Sequence, residues 1–174
     1  MDSRLERLRE DVLSAVHGMS AQQMRWHPEG KWCVAEVLEH LYLTYTGTIK
    51  AFERVLASTE PMASAASPKQ CWQTFVVLNF NYLPDGRKAP KQTVPRGLAV
   101  ETIRSEVEAK IGEMDAIISR CESRFSSAKV LDHPVLGPLS AAQWRKFHLV
   151  HGKHHLKQIL KLRERTGNPA GGQP

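Results

Sequence analysis

Four of the eight histidines fall in one short stretch: His148, His151, His154 and His155. Imidazole is the commonest protein ligand for borderline divalent metals, and a helix presents side chains together at i,i+3 and i,i+4. At about 100° per residue, Trp144, His155 and Leu162 lie within about 20° of one another on the wheel. His151 falls about 40° to one side of His155 and His148 about 20° to the other, so these rings share an inward stripe with a tryptophan and an aliphatic residue. His154 sits at the edge of that stripe. His148 and His155 are separated by a rise of about 10 Å, too far to chelate one ion directly. The usable pairs are His151/His155, His148/His151 and His151/His154. His151 belongs to all three, and His151/His155 points most squarely inward with the H-x-x-x-H spacing of helical zinc pairs. The residues between them are Gly-Lys-His. The glutamate of a zinc peptidase is absent, which argues against that class.

Several neutral imidazoles in a core each need a hydrogen-bond partner, and protonated ones repel. A divalent cation resolves both problems. A hydrogen-bonded or pH-sensing cluster is the competing reading. A third ligand has to come from elsewhere. His17 lies at the end of the first helix, His27 and His133 in loops, and His40 inside the second helix. On the wheel His40 shares a side with Cys33, Val37 and Thr44 at the margin of the apolar face, which by periodicity alone makes it half-exposed.

The elements that would position these groups are helical. Leu5, Leu8, Val12, Ala15 and Met19 form one stripe of a first helix from about Asp2 to Gly18. Ser20 to Gln23 has the form of a capping box. A second helix runs from Trp32 or Cys33 to about Ser58, with Val34 to Leu56 on a wide apolar face. A linker over Thr59–Ser67 follows, then an apolar segment from Cys71 to Tyr82 assigned as helix for want of a strand partner. Pro84 to Pro90 and Thr93 to Gly97 form a long irregular connection, the kind that is functional or packed across another element. A third helix spans about Val100 to Ser123. Asp132 to Leu139 reads as a loop, and Ser140 to Gln143 is a capping box for a fourth helix ending near Arg165. No hairpin signal stands out. The expected architecture is an all-α four-helix bundle with an extra short helix and long connecting loops. It forms one domain over residues 1–165, with a flexible tail over 166–174.

Bulk properties fit one soluble domain. The chain has 174 residues, 41% hydrophobic and 24% charged, enough for one core and too few for two. Its first residues are charged, without the apolar core of a secretory signal, and no stretch has the length of a membrane span. Cys33, Cys71 and Cys121 are odd in number and widely spaced, which argues against a disulfide framework and a cysteine zinc cluster and makes a reducing cytoplasm the simplest compartment. The net charge of +6 is spread among acids. The densest basic groups are Arg87, Lys88, Lys91 and Arg96, and the stretch Lys153 to Arg165. A solvated basic face is expected rather than a specific nucleic-acid site.

The segment from Lys31 to Leu41, including Cys33 and His40, followed far downstream by His151-Gly-Lys-His-His155-Leu-Lys-Gln158-Ile, resembles the DinB-like superfamily of metal-dependent proteins, within a branch of unknown function. The loops Pro84–Pro90 and Asp132–Leu139 are similar to that branch too, so the resemblance covers nearly the whole chain. It implies a four-helix bundle, usually homodimeric, with the metal held by one histidine of the second helix and two of the last. On that resemblance His40, His151 and His155 are the ligands. His148 and His154 become supporting or packing residues, and Trp32, Cys33 and Trp144 are further pocket candidates. A serine commonly caps the second helix in this superfamily. Here Cys33 stands in its place, a poor cap. A thiol at a helix N-terminus can be reactive, but a small buried residue is the simpler expectation.

Three neutral nitrogen ligands leave open positions, the pattern of catalytic sites. Zinc and nickel are the leading metals, with iron next. The resemblance further implies thiol-S-transferase or hydrolase chemistry on a small molecule, with a low-molecular-weight thiol as partner. A non-catalytic metal- or small-molecule-binding stress-response module is the alternative. Glu36 and Glu39 are near His40 in sequence, with surface solvation the default for both. Phe75 and Tyr82 join Trp32 and Trp144 as possible pocket aromatics.

Overall fold

The structure is a computed structural model that describes residues 1–84, 86 and 88–167. Asp85, Arg87 and most of the tail expected over 166–174 lie outside the described residues. The elements are α1 (Ser3–Val16), α2 (Ala21–Met24), α3 (Val34–Ala57), α4 (Pro68–Phe80), a 3-10 turn (Lys91–Thr93), α5 (Val100–Phe125), β1 (Lys129–His133), β2 (Gly137–Ser140) and α6 (Ala141–Gly167). The all-α bundle expected from periodicity is the architecture found.

Helix starts follow local chemistry. Asp2 caps α1 by accepting the Arg4 N–H. Ser20 and Gln23 form the expected reciprocal capping box of α2, and Ser140 and Gln143 exchange the same pair of bonds at α6. Ser67 and Gln70 make a further box, with Pro68 in the first turn, so α4 begins earlier than its apolar run indicates.

α5 and α6 pack against each other, and each packs against both α1 and α3. Their apolar stripes meet in one core. Leu5, Leu8 and Val12 of α1, Leu38, Leu41, Tyr45 and Phe52 of α3, Ile103, Ile111, Met114 and Ile118 of α5 and Ile159 of α6 are all buried. Gly152 marks a close crossing. A Cβ there would lie 2.4 Å from Leu8 Cδ2, so the absence of a side chain lets α1 approach α6 beside the histidines. A half-buried ion network reinforces α5 and α6: Arg145 donates to Asp115 at 2.7 Å and also binds Glu122 and Ser119.

One expectation fails here. Residues assigned to a loop, Asp132 to Leu139, belong to an antiparallel hairpin in which Leu131 faces Leu139 and His133 faces Gly137. No Asn-Gly turn announces it. Instead His133 Nδ1 accepts the N–H groups of Val135 and Leu136, at 3.2 and 3.1 Å, and so supplies the turn's acceptor from a side chain. Val130, Leu136 and Leu139 are buried beneath it. The preceding linker is pinned to β1: Met62 N–H donates to the Val130 carbonyl and Ser64 N–H to Asp132.

Candidate metal centre

α3 and α6 cross with three histidines between them. His40 projects from α3, and His151 and His155 project from consecutive turns of α6. His40 Nε2 lies 3.3 Å from His151 Nε2, and His151 Nε2 lies 3.0 Å from His155 Nε2. The three donor atoms all lie within 4.8 Å of one another. His40 and His155 are buried and His151 is half-buried. Of the helical pairs that spacing leaves open, the structure brings together His151/His155.

The opposite ring nitrogens fix the direction of the lone pairs. His40 Nδ1 sits 2.8 Å from the Thr93 carbonyl, which can only accept, so the proton is on Nδ1 and Nε2 is bare. His155 Nδ1 donates to Gln158 Oε1 at 2.8 Å, leaving its Nε2 bare as well. Gln158 in turn contacts His154 Nε2 at 3.0 Å through its amide nitrogen. Burial is the main cause that holds the rings neutral. It pushes His155 down to about 3, with His40 adding to the shift, lowers His40, and takes His151 well below the ordinary range with its neighbours' help.

This arrangement tests whether the residues suit a cation. A proton on His151 Nε2 could satisfy one of the two facing lone pairs but not both. His151 Nδ1 is buried without a hydrogen-bond partner among the described residues, a cost of about 1–3 kcal/mol that ligation through Nε2 leaves in place. A divalent ion at the centre satisfies all three Nε2 atoms together. Neighbouring nitrogens on tetrahedral zinc sit about 3.3–3.4 Å apart, close to the separations found. The donor set fits.

The surroundings correct the wheel. His40 is 5% exposed rather than half-exposed. The connection between α4 and α5 folds over it and is anchored by its neighbour Glu39. That carboxylate, expected to be solvated, is buried and accepts three backbone N–H groups: Arg96 at 2.7 Å, Gly97 at 3.0 Å and Leu98 at 3.1 Å. Glu36 is half-buried and accepts the Cys33 N–H at 2.9 Å, so neither glutamate is a plain surface group.

Trp32 lies against the centre, its ring 5.1 Å from His40. Phe147, one turn before His151, stacks on it at 5.4 Å and 19°. Its i,i+4 spacing from His151 is a signal for that contact in the sequence itself. His148 is placed elsewhere, fully buried, with Nε2 3.1 Å from Thr48 Oγ1 and its ring stacked on Trp144. Trp144 is buried and donates to the Leu131 carbonyl at 3.1 Å, tying α6 to the hairpin. Phe75 and Tyr82 are exposed. Cys33 is buried at the start of α3, and burial pushes its thiol up rather than down.

A model of the DinB superfamily matches residues 4–159. The chain belongs to the DinB superfamily. No curated protein and no solved structure matches it. For this DinB-superfamily chain, the match takes in most of α1, the whole of α3 and all three histidines of the centre. Among the described residues, no helix is long and apolar enough to cross a membrane.

Proposed function

We propose that this protein is a divalent-metal-dependent enzyme acting on a small molecule, with thiol-S-transferase or hydrolase chemistry, and that His40, His151 and His155 hold the metal. The observation that supports this is the convergence of three Nε2 atoms, two of them with lone pairs aimed inward by acceptors on the far side of the ring. Zinc and nickel suit three imidazoles best, with iron next.

Bound there, the cation would act as a Lewis acid or lower the pKa of a bound thiol or water. The chain's own residues do the rest. Thr93 and Gln158 orient two ligands, Trp32 covers one side of His40, and Phe147 fixes the His151 ring. Three protein ligands also leave coordination positions for a substrate, such as a low-molecular-weight thiolate.

Elemental analysis of the purified protein, followed by chelation and reloading with zinc or nickel, tests the centre. Stoichiometric uptake, one equivalent of which disappears in His151→Ala, is expected, and identical uptake by both proteins overturns the reading. Turnover with a panel of low-molecular-weight thiols and electrophiles tests the chemistry. Uptake without turnover across that panel would favour a non-catalytic metal-binding module.

A further inference from the structure

A second set of metal-type donors lies at the start of α3. His27, Cys33 and Glu36 each offer one ligand atom, and these atoms all lie within 4.8 Å of one another. His27 Nδ1 and Glu36 Oε2 are separated by 3.4 Å. Nitrogen and oxygen ligands on one tetrahedral zinc stand about 3.3–3.4 Å apart, and sulfur stands about 3.6 Å from either. We propose that His27, Cys33 and Glu36 form a second divalent-cation site, separate from the three-histidine centre, which takes zinc or a similar borderline cation through one imidazole, one thiolate and one carboxylate.

The local fold assembles these groups from one short segment. Lys31 N–H donates to the Pro28 carbonyl at 3.1 Å, and Gly30, at φ +63°, occupies the third position of that turn, where a side chain would be strained. The turn folds the chain back so that His27 reaches the first turn of the helix that follows. Cys33 and Glu36 stand at i,i+3 and therefore on one face of α3. Glu36 Oε2 accepts the Cys33 N–H, and a carboxylate has capacity for a further partner, so the cap and a cation can share it. His27 Nδ1 has two long contacts, each 3.4 Å, to the Lys31 carbonyl and to Glu36 Oε2, and ligation through Nδ1 shifts its proton to Nε2.

Charge and hardness are suitable. The helix N-terminus favours the anionic thiolate and carboxylate that ligation requires. Because burial raises the Cys33 thiol, the free site carries the proton at neutral pH. Binding then forms one metal–sulfur bond, breaks one S–H bond and releases one proton to solvent, with no change of oxidation state. Cys33 is buried, Glu36 half-buried and His27 exposed, so the sulfur lies on the inner side of the cluster and the imidazole on the solvent side. Zinc, which accepts nitrogen, sulfur and oxygen alike, suits this mixture.

Cobalt(II) titration of the full chain separates the two sites, because only a thiolate ligand gives the near-ultraviolet sulfur-to-cobalt charge-transfer band. Two equivalents bound per chain, one of them with that band, are the expected result. Cys33→Ser should abolish the band and one equivalent while retaining the other. His27→Ala, in an exposed loop where folding is not at stake, should weaken the band-forming equivalent at least about tenfold. His151→Ala should keep the band and lose the other equivalent, so failure of the three-histidine centre is read separately. Absence of the band at every loading, or a band unchanged in both Cys33→Ser and His27→Ala and hence due to exposed Cys71, would overturn the second site.

Discussion

Glu39 and His40 are consecutive residues of α3, and both hold the same distant loop. His40 Nδ1 binds the Thr93 carbonyl, and the Glu39 carboxylate binds the N–H groups of Arg96, Gly97 and Leu98. A helix normally sends neighbouring side chains about 100° apart. Here the loop wraps the helix far enough to meet both. The loop thereby covers His40 and sets its proton on the far nitrogen, so one contact zone both buries the ring and aims it.

That relationship makes Glu39→Gln informative. The amide keeps the shape but replaces charge-assisted acceptors with one neutral oxygen and a donor facing N–H groups. A loss of about 1–3 kcal/mol is expected. Hydrogen exchange should show the amides of Arg96, Gly97 and Leu98 opening faster while α1 keeps its protection. Unchanged exchange at those three amides would mean that the carboxylate does not hold the loop.

Gln158 offers the matching test on α6. Its Oε1 accepts from His155 Nδ1 and so keeps the opposite nitrogen bare. Partners of this kind are worth about 10–100-fold in metal affinity. Gln158→Leu should weaken zinc uptake in that range, and Gln158→Glu, which restores an acceptor, should recover it. Competition with a chromophoric chelator measures both. Equal affinity in all three proteins would remove Gln158 from the account.

Direct removal of a ligand should be more severe. His151 faces both other rings, so His151→Ala separates every close nitrogen pair. Affinity should fall by more than about 100-fold, beyond the range of supporting partners. His148→Ala should instead leave metal stoichiometry intact, since that ring is occupied with Thr48 and Trp144. The two variants compared by elemental analysis distinguish a ligand from a packing histidine.

Acid should destabilise the metal-free protein before its carboxylates titrate. Burial, with His133 adding, lowers His148 from the ordinary 6.5 to about 3. Below about pH 6.5 the unfolded chain takes up a proton that the folded chain refuses, so stability falls as pH drops and the loss levels off near the folded value. Each histidine held this way contributes a slope of about 1.4 kcal/mol per pH unit across the window. Urea unfolding of chelated protein from about pH 7 to about pH 5 checks the sign. Stability that is flat or rises toward acid contradicts the burial of neutral His148.

Gly152 carries a steric prediction. Gly152→Ala would place a methyl against Leu8 Cδ2, in a core where Leu8 is 1% exposed. Overpacking of this kind costs about 1–3 kcal/mol. Adding Leu8→Ala should cost less in the Gly152→Ala background than in the parent. Simple additivity of the two in thermal unfolding would place the crossing elsewhere.

Much of this was legible in the residues. The stripes Leu5 to Ala15 and Ile103 to Cys121 fix their helices because each buries one face, and His151 followed from geometry on a single helix. His40 did not, because its burial depends on a loop more than fifty residues away in the chain, and a wheel knows nothing of what covers it. Glu39 misled for the same reason: an acid among apolar neighbours reads as solvated until its backbone partners are in view. The hairpin escaped because its turn is closed by the ring of His133, a contact without a turn signature. Gln158 stands within the stretch His151 to Ile159, yet its role depends on a rotamer.

The separation of His40 from His151, 111 residues along the chain, has a temporal meaning. During translation α3 is complete long before α6 has left the ribosome, and until then His40 faces no second imidazole. Whatever this centre holds can be gripped only once the last helix has docked. Cargo at the site is therefore a receipt for finished folding: nascent chains arrested before His151 should carry none of it.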